Sequence, residues 1–232
     1  MYDLSVTDEE VIKLIRWATR QNFSGCRPLS AARRTALQPE ATTKRVDPAA
    51  NIEKYLDGFS ATEADLWDAP GCWHPGENWR VDSLLFLAGM FHAGELVNIV
   101  TDYTVDPKGK ANPDGYGLTL ERDAMMRHIR SNGTPQSKAG AWVRINPLDG
   151  HGIADANVTA FRFALLEIDK VPVELQLSLL ARLPLPVNAI QLSGGKSVHA
   201  IVRVNAKSAE SYRAKVNEVL ALLRPFGIDQ AN

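Results

Sequence analysis

The stretch that decides the fold is FRFALLEIDKVPVELQLSLLARLPLPVNAIQLSGGKSVHAIVRV, residues 161–204. It begins with an apolar run that is typical of a buried strand and continues with a helix-like segment, 173–183. A second apolar run, 187–192, breaks at SGGKS and resumes as VHAIVRV, which predicts a β-hairpin. A further helix follows. This order of elements predicts an α+β sandwich with helices packed on one face of a sheet, rather than a doubly wound sheet.

The composition bounds the class of protein. The chain has 232 residues, of which 45% are hydrophobic and 23% charged, with a formal net charge of −1, so we expect a packed core without a general basic surface. Two cysteines, Cys26 and Cys72, are too few for a disulfide scaffold and fit a reducing cytosol. The sequence shows neither a membrane-spanning run nor a signal peptide. We therefore expect a cytoplasmic protein with no membrane partner.

Residues 1–94 are expected to form a mostly helical accessory region, with helical spacing at 7–21, 52–67 and 82–90. The basic segment 22–51 is expected to be a surface loop or, alternatively, a contact to a nucleic-acid backbone. Cys72 and His74 lack partners at the spacing of a zinc site.

Residues 95–160 are expected to contribute further short elements. The patterns predict a strand at 94–105, a loop at 106–117, a helix at 119–130 and a short strand at 141–145. After the deciding stretch, Ser208 is expected to cap a helix over 209–224, which Pro225 and Gly227 end.

Two acids close the first strand of the deciding stretch. Glu167 and Asp169 are one residue apart, so the alternation of a strand directs both carboxylates to the same side. Paired acids on a surface strand are usually solvated, but the apolar run before these two indicates a buried strand, where acids need a positive partner. Hard cations such as Mg²⁺ take carboxylate oxygens together with substrate phosphates.

The hairpin SGGKSVH, residues 193–199, has a phosphate-binding composition. It is not a nucleotide P-loop, because Ile190 stands where the first glycine belongs and because a strand, not a helix, follows. Its two glycines allow backbone N–H groups to approach an anion, and Lys196 adds positive charge. The alternatives are an ordinary hairpin turn and, for His199, an ordinary strand residue. We expect His199 to donate a hydrogen bond to a triphosphate.

Taken in order, Glu-x-Asp at 167–169, SGGKSVH at 193–199 and FGID at 226–229 resemble the archaeo-eukaryotic primase superfamily. The likeness is to the primase–polymerases of plasmids, phages and mobile elements, and it covers roughly residues 95–232. It implies a catalytic core with an RRM-like antiparallel sheet in that region. It implies two Mg²⁺ or Mn²⁺ ions, held by three catalytic acids: Glu167, Asp169 and Asp229. It also implies four residues that bind the phosphates of the nucleotide: Ser193, Gly195, Lys196 and His199.

The resemblance implies a nucleotidyltransferase, a DNA primase or polymerase that extends a primer 3′-hydroxyl or an initiating nucleotide. Its partners would be a single-stranded DNA template, a ribo- or deoxynucleoside triphosphate and a replicative helicase. Arg144 and Asn146, expected on one strand face, are candidate template contacts. The family continues beyond its third acid, whereas this sequence stops three residues after Asp229, so we expect a C-terminally truncated core. The alternative is a non-catalytic primase-like module that binds nucleotide or DNA in a replication or defence complex.

Overall fold

The computed structural model describes residues 47–68, 79–168, 171–193 and 197–229. The expected helix at 7–21, most of the basic segment 22–51, and Cys72 with His74 lie outside these ranges. The described chain divides into two compact units, one of residues 79–162 and one of residues 47–68 and 163–229. Helices and small antiparallel sheets together confirm the α+β class.

The α-helices of the described ranges are α1 (Pro48–Leu56), α2 (Glu63–Trp67), α3 (Trp79–Met90), α4 (Arg122–Asn132), α5 (Val173–Arg182) and α6 (Ala209–Leu223). The strands are β1 (Leu96–Val100), β2 (Tyr103–Val105), β3 (Ala111–Pro113), β4 (Leu118–Glu121), β5 (Trp142–Val143), β6 (Phe161–Ile168), β7 (Val187–Ser193) and β8 (Ser197–Ala206). Short 3₁₀ turns lie at Asp155–Asn157 and Arg224–Phe226.

The first unit is built around β1. This strand is buried along almost its whole length and lies between β4 and β5, with both pairings antiparallel, while β2 and β3 form a separate hairpin. The chain passes very close to β1 at Gly117, whose φ is +64° and where an added Cβ would collide with the carbonyl group of Ile99. Only glycine fits this approach without strain.

The first unit departs from the sequence expectations in several places. The strand expected over 94–105 is divided into β1 and β2, and the loop expected over 106–117 contains β3. The helix expected over 119–130 begins only at Arg122, because residues 118–121 pair with β1 as β4. In each place, pairing with a neighbouring strand decides the structure, and local periodicity does not reveal that pairing.

A bidentate ion pair ties the start of β6 to the start of β1. Arg162 donates through Nη1 to Oε1 of Glu95 at 2.7 Å, and through Nη2 to Oε2 of Glu95 and to the carbonyl oxygen of Met90. The backbone N–H of His92 also donates to Oε2 of Glu95, at 2.8 Å. Burial alone raises the pKa of Glu95, but the hydrogen bonds from Arg162 and His92 outweigh it and lower the pKa overall.

The second unit has a three-stranded sheet in the order β6-β8-β7, with α1, α5 and α6 on one face. Alternate residues of β6 and β8 point into this core: Ala164, Leu166, Ile168, Val198, Ala200 and Val202. The helices contribute apolar side chains to the same core, among them Ile52, Leu56, Leu179, Leu180, Val216, Leu220 and Leu223. Full burial of each large aliphatic side chain stabilises the fold by about 1.5–3 kcal/mol. The predicted hairpin is confirmed, because β7 and β8 are antiparallel neighbours.

The ends of α6 agree closely with the sequence. Oγ of Ser208 accepts a hydrogen bond from the N–H of Ser211 at 3.2 Å, which confirms the predicted cap. The helix gives way to the 3₁₀ turn at Arg224, and Gly227 follows with φ of +79°, a left-handed conformation that stops the helix.

Helix α1 belongs to the second unit although it lies within residues 1–94. Asp47 caps it by accepting the N–H of Ala49 at 3.1 Å, and Nδ2 of Asn51 donates to the carbonyl oxygen of Pro225 at 2.9 Å. Ile52 and Leu56 are buried in the core with β6 and β8. Compactness therefore divides the described chain after residue 162, whereas the expected boundary lay at residue 94.

Candidate functional site

Glu167 and His199 lie on the sheet face opposite the helices. Glu167 is flanked by Leu166 and Ile168 on β6, and His199 is flanked by Val198 and Ala200 on β8. All four flanking side chains are buried in the core that the helices cover. Because side chains alternate along a strand, Glu167 and His199 project to the other face. Their strands are neighbours, and Oε1 of Glu167 lies 3.4 Å from Nε2 of His199.

The pair is partly accessible, with 29% of the Glu167 side chain and 27% of the His199 side chain exposed. Nε2 of His199 is itself buried and makes no hydrogen bond to any described protein atom, since its approach to Glu167 lacks hydrogen-bond geometry. A buried polar nitrogen without a partner costs about 1–3 kcal/mol. The nitrogen that approaches Glu167 is thus enclosed, and the exposed part of the imidazole is the rest of the ring.

Asp229 is positioned by the strand that carries Glu167. Ile228 forms an antiparallel bridge with Ile168, and the N–H of Asp229 donates to the carbonyl oxygen of Glu167 at 3.0 Å. The Asp229 backbone is therefore adjacent to that of Glu167. The third acid of the expected motif set, far along the chain from the first, comes to the same end of β6.

The rest of the expected phosphate-binding hairpin is described only in part. Asp169, Gly195 and Lys196 lie outside the described residues, and of Ser193 only the backbone is described. Ser193 ends β7 and pairs with Ser197 at the start of β8, and Gln191 pairs with His199. Residues 194–196 join these two paired strand ends, so His199 lies close to the hairpin turn in the register.

The two template candidates lie in the first unit and differ in exposure. The strand expected over 141–145 ends at Val143, so Arg144 and Asn146 do not share a strand face. Arg144 is exposed, and its N–H donates to the carbonyl oxygen of Asn98 at 3.1 Å. Asn146 is buried, and its Oδ1 accepts the N–H of Arg162 at 3.0 Å. Asn146 thus fixes the backbone at the start of β6.

The acids near the end of β6 are of the chemical type that hard cations bind. Glu167 and Asp229 supply carboxylate groups, the ligands that Mg²⁺ and Mn²⁺ prefer, and Asp169 stands two positions after Glu167. No group of three or more His, Cys, Asp and Glu side chains arranged for a metal ion occurs among the residues that the structure describes, which do not include Asp169.

Gln176 is a candidate that the sequence analysis missed. It lies in α5, is fully buried at 0% exposure, and bonds one backbone group near the end of β6 and one at the start of β8. Its Oε1 accepts the N–H of Val198 at 2.7 Å, and its Nε2 donates to the carbonyl oxygen of Val171 at 2.6 Å. The only signal in the sequence is an amide residue between two leucines of an amphipathic helix.

Three comparisons were made with known proteins: family models, curated protein sequences and solved structures. None of them returns a match. In the described part of the chain, no helix is both long enough and apolar enough to cross a bilayer. The resemblance to primase–polymerases therefore rests on the motif residues of the sequence alone.

Proposed function

We propose that this chain carries the catalytic core of a DNA primase–polymerase, a nucleotidyltransferase that joins a nucleotide to a primer 3′-hydroxyl or to an initiating nucleotide. The observation that supports it most is the approach of Glu167 to His199, 3.4 Å apart. The two come from separate motifs of the resemblance, and the backbone of Asp229, from the third motif, hydrogen-bonds to that of Glu167.

In this proposal the carboxylates of Glu167, Asp169 and Asp229 hold Mg²⁺ or Mn²⁺. When bound, the ions supply activation of the attacking hydroxyl and neutralisation of the leaving pyrophosphate. Carboxylates alone would repel a triphosphate. In the proposal His199, which lies next to Glu167, donates a hydrogen bond to a phosphate oxygen.

The turn beside His199 completes the phosphate contacts in the proposal. Lys196 contributes positive charge, and Ser193 and Gly195 contribute polar or backbone N–H groups. The proposal places the protein in the cytoplasm with three partners: a single-stranded DNA template, a ribo- or deoxynucleoside triphosphate, and a replicative helicase that exposes the template.

Primer extension and primer synthesis with Mg²⁺ or Mn²⁺ and a labelled nucleotide test this function. We expect Asp169→Ala to lower incorporation by at least about 100-fold, because a site that stabilises developing charge loses a ligand. Glu218→Gln is the matched control, since it removes a carboxylate from the exposed face of α6 and should leave incorporation unchanged. Circular dichroism should show both variants folded.

Unchanged incorporation by the Asp169 variant would refute the proposal. If the unmodified chain binds a nucleoside triphosphate and DNA but incorporates nothing under any metal condition, the non-catalytic primase-like module replaces the enzyme as the function.

A further inference from the structure

We propose that Gln176 is a positioning residue of this site, one that sets the spacing between the end of β6 and the start of β8. The proposal rests on the proposed function, because it treats Glu167 and His199 as the two residues whose separation matters. Gln176 touches neither of them. It acts through the two backbone groups that it holds.

Those two groups lie between the site residues along the chain, each close to one of them. Val198, whose N–H is accepted at 2.7 Å, immediately precedes His199. Val171, whose carbonyl oxygen receives the Nε2–H of Gln176 at 2.6 Å, lies two residues after Asp169 and four after Glu167. The planar side-chain amide of Gln176 therefore links Val171, which follows the acidic motif, to β8, the strand that carries His199.

The backbone N–H of Val198 is accepted by a side chain of helix α5 and not by a neighbouring strand. The N–H of a residue inside a sheet is normally accepted by a neighbouring strand. Here α5 supplies the acceptor, so the start of β8 is fixed to the helix as well as to β7. A shift of α5 relative to the sheet would move Val198 and, with it, the imidazole of His199.

A purely structural role is the alternative explanation, since a buried polar group must find partners wherever it lies. Ser178 provides the comparison. It lies on the same helix, is 3% exposed, and its Oγ accepts the N–H of Ala61 at 2.9 Å and approaches the carbonyl oxygen of Glu174 at 2.7 Å. Ser178 thus makes buried hydrogen bonds of the same kind, but to residues that do not carry the site.

The test compares Gln176→Met and Gln176→Asn with Ser178→Ala in the full chain. Without metal or nucleotide, we expect both Gln176 variants to lose hydrogen-exchange protection at the Val198 amide by at least about tenfold and to shift the imidazole signals of His199. Ser178→Ala should lower the Tm without either change. The Asn variant, one methylene shorter, keeps the test valid if the Met variant does not fold.

With Mg²⁺ and nucleotide, we expect kcat for incorporation to fall by about 10- to 100-fold in the Gln176 variants with KM changed much less, as misplacement of reacting groups does. Ser178→Ala should keep kcat within about twofold of the unmodified protein below its Tm.

Unchanged Val198 exchange and His199 signals in both Gln176 variants would overturn the positioning role, as would an equal loss of kcat in Ser178→Ala. If the unmodified protein incorporates no nucleotide, the proposed function fails. The exchange and imidazole measurements then still decide whether Gln176 sets the spacing.

Discussion

Oε1 of Glu167 lies 3.4 Å from Nε2 of His199, across two neighbouring strands whose other face is covered by α1, α5 and α6. In the proposed function the carboxylate holds a hard cation, and the imidazole donates a hydrogen bond to a phosphate oxygen. In that function the acid serves the cation and the histidine serves the phosphate. Substitutions at the two residues therefore test cation binding and phosphate binding separately.

Replacing His199 by alanine should weaken nucleotide binding without abolishing the fold. Loss of a hydrogen bond to a charged phosphate costs about 1.5–3 kcal/mol, which corresponds to a rise of about 10- to 100-fold in the KM for nucleotide. Steady-state primer extension measures it. His151→Ala, a change at an exposed histidine of the first unit, is the control and should leave KM unaltered. A KM unaffected by loss of His199 would exclude its phosphate contact.

Arg144 and Asn146 should respond differently to replacement by alanine. Arg144 is exposed, so its loss should weaken single-stranded DNA binding and reduce the slope of log K against log salt by about 0.7, with no change in Tm. Asn146 is buried and accepts the N–H of Arg162, so its loss should lower stability by about 1–3 kcal/mol.

Fluorescence anisotropy across a salt series and thermal unfolding separate these two effects. Arg127→Ala, at an exposed arginine of α4, controls for the removal of one positive charge. Equal salt slopes for Arg144→Ala and the unmodified chain would rule out Arg144 as a phosphate contact.

Glu95→Gln should destabilise the first unit in a pH-dependent way. The fold lowers the pKa of Glu95 below its ordinary 4.5, so its contribution is fully present above that value and is lost as pH falls through the folded pKa. We expect a loss of about 1–3 kcal/mol at pH 7 that shrinks as the pH drops below 4.5.

Urea unfolding at several pH values measures this difference. The exposed Glu121, replaced by glutamine, serves as the control in the same unit and should show little effect at any pH. A penalty for Glu95→Gln that stays constant from neutral to acidic pH would contradict the assigned role of its ionised form.

Gly117→Ala should cost more than Gly109→Ala, although both glycines have positive φ. At Gly109 nothing lies within 4 Å of an added Cβ, so only backbone strain of about 1–2 kcal/mol applies. At Gly117 the new methyl group collides with the carbonyl group of Ile99, which adds a further penalty of about 1–3 kcal/mol. Thermal unfolding of the two variants gives the comparison, and equal Tm values would show that the close approach to β1 is easily relieved.

Local periodicity predicted the part of the fold in which the sequence pattern of each segment is enough to assign its secondary structure. The run from β6 through α5 to the hairpin of β7 and β8 was predicted, as was the Ser208 cap, because the apolar pattern and the turn residues are sufficient there. Glu167 and His199 were singled out for the same reason, since motif spacing is a property of the sequence.

Contacts between distant residues account for what the sequence did not reveal. Residues 118–121 form a strand because β1 lies beside them, and α1 joins the second unit because Ile52 and Leu56 meet a core that residues 163–229 supply. Asn146 and Gln176 are anchors for backbone groups far along the chain, and such partners leave no periodic signal.

The separation of α1 from the rest of its unit also affects how the protein is made. Synthesis runs from the N-terminus, so residues 47–68 are made well before residues 163–229, and Ile52 and Leu56 lack most of their core partners until those residues follow. The apolar side chains of α1 are therefore among the first of this core to be made and are buried only when the C-terminal part of the chain joins them.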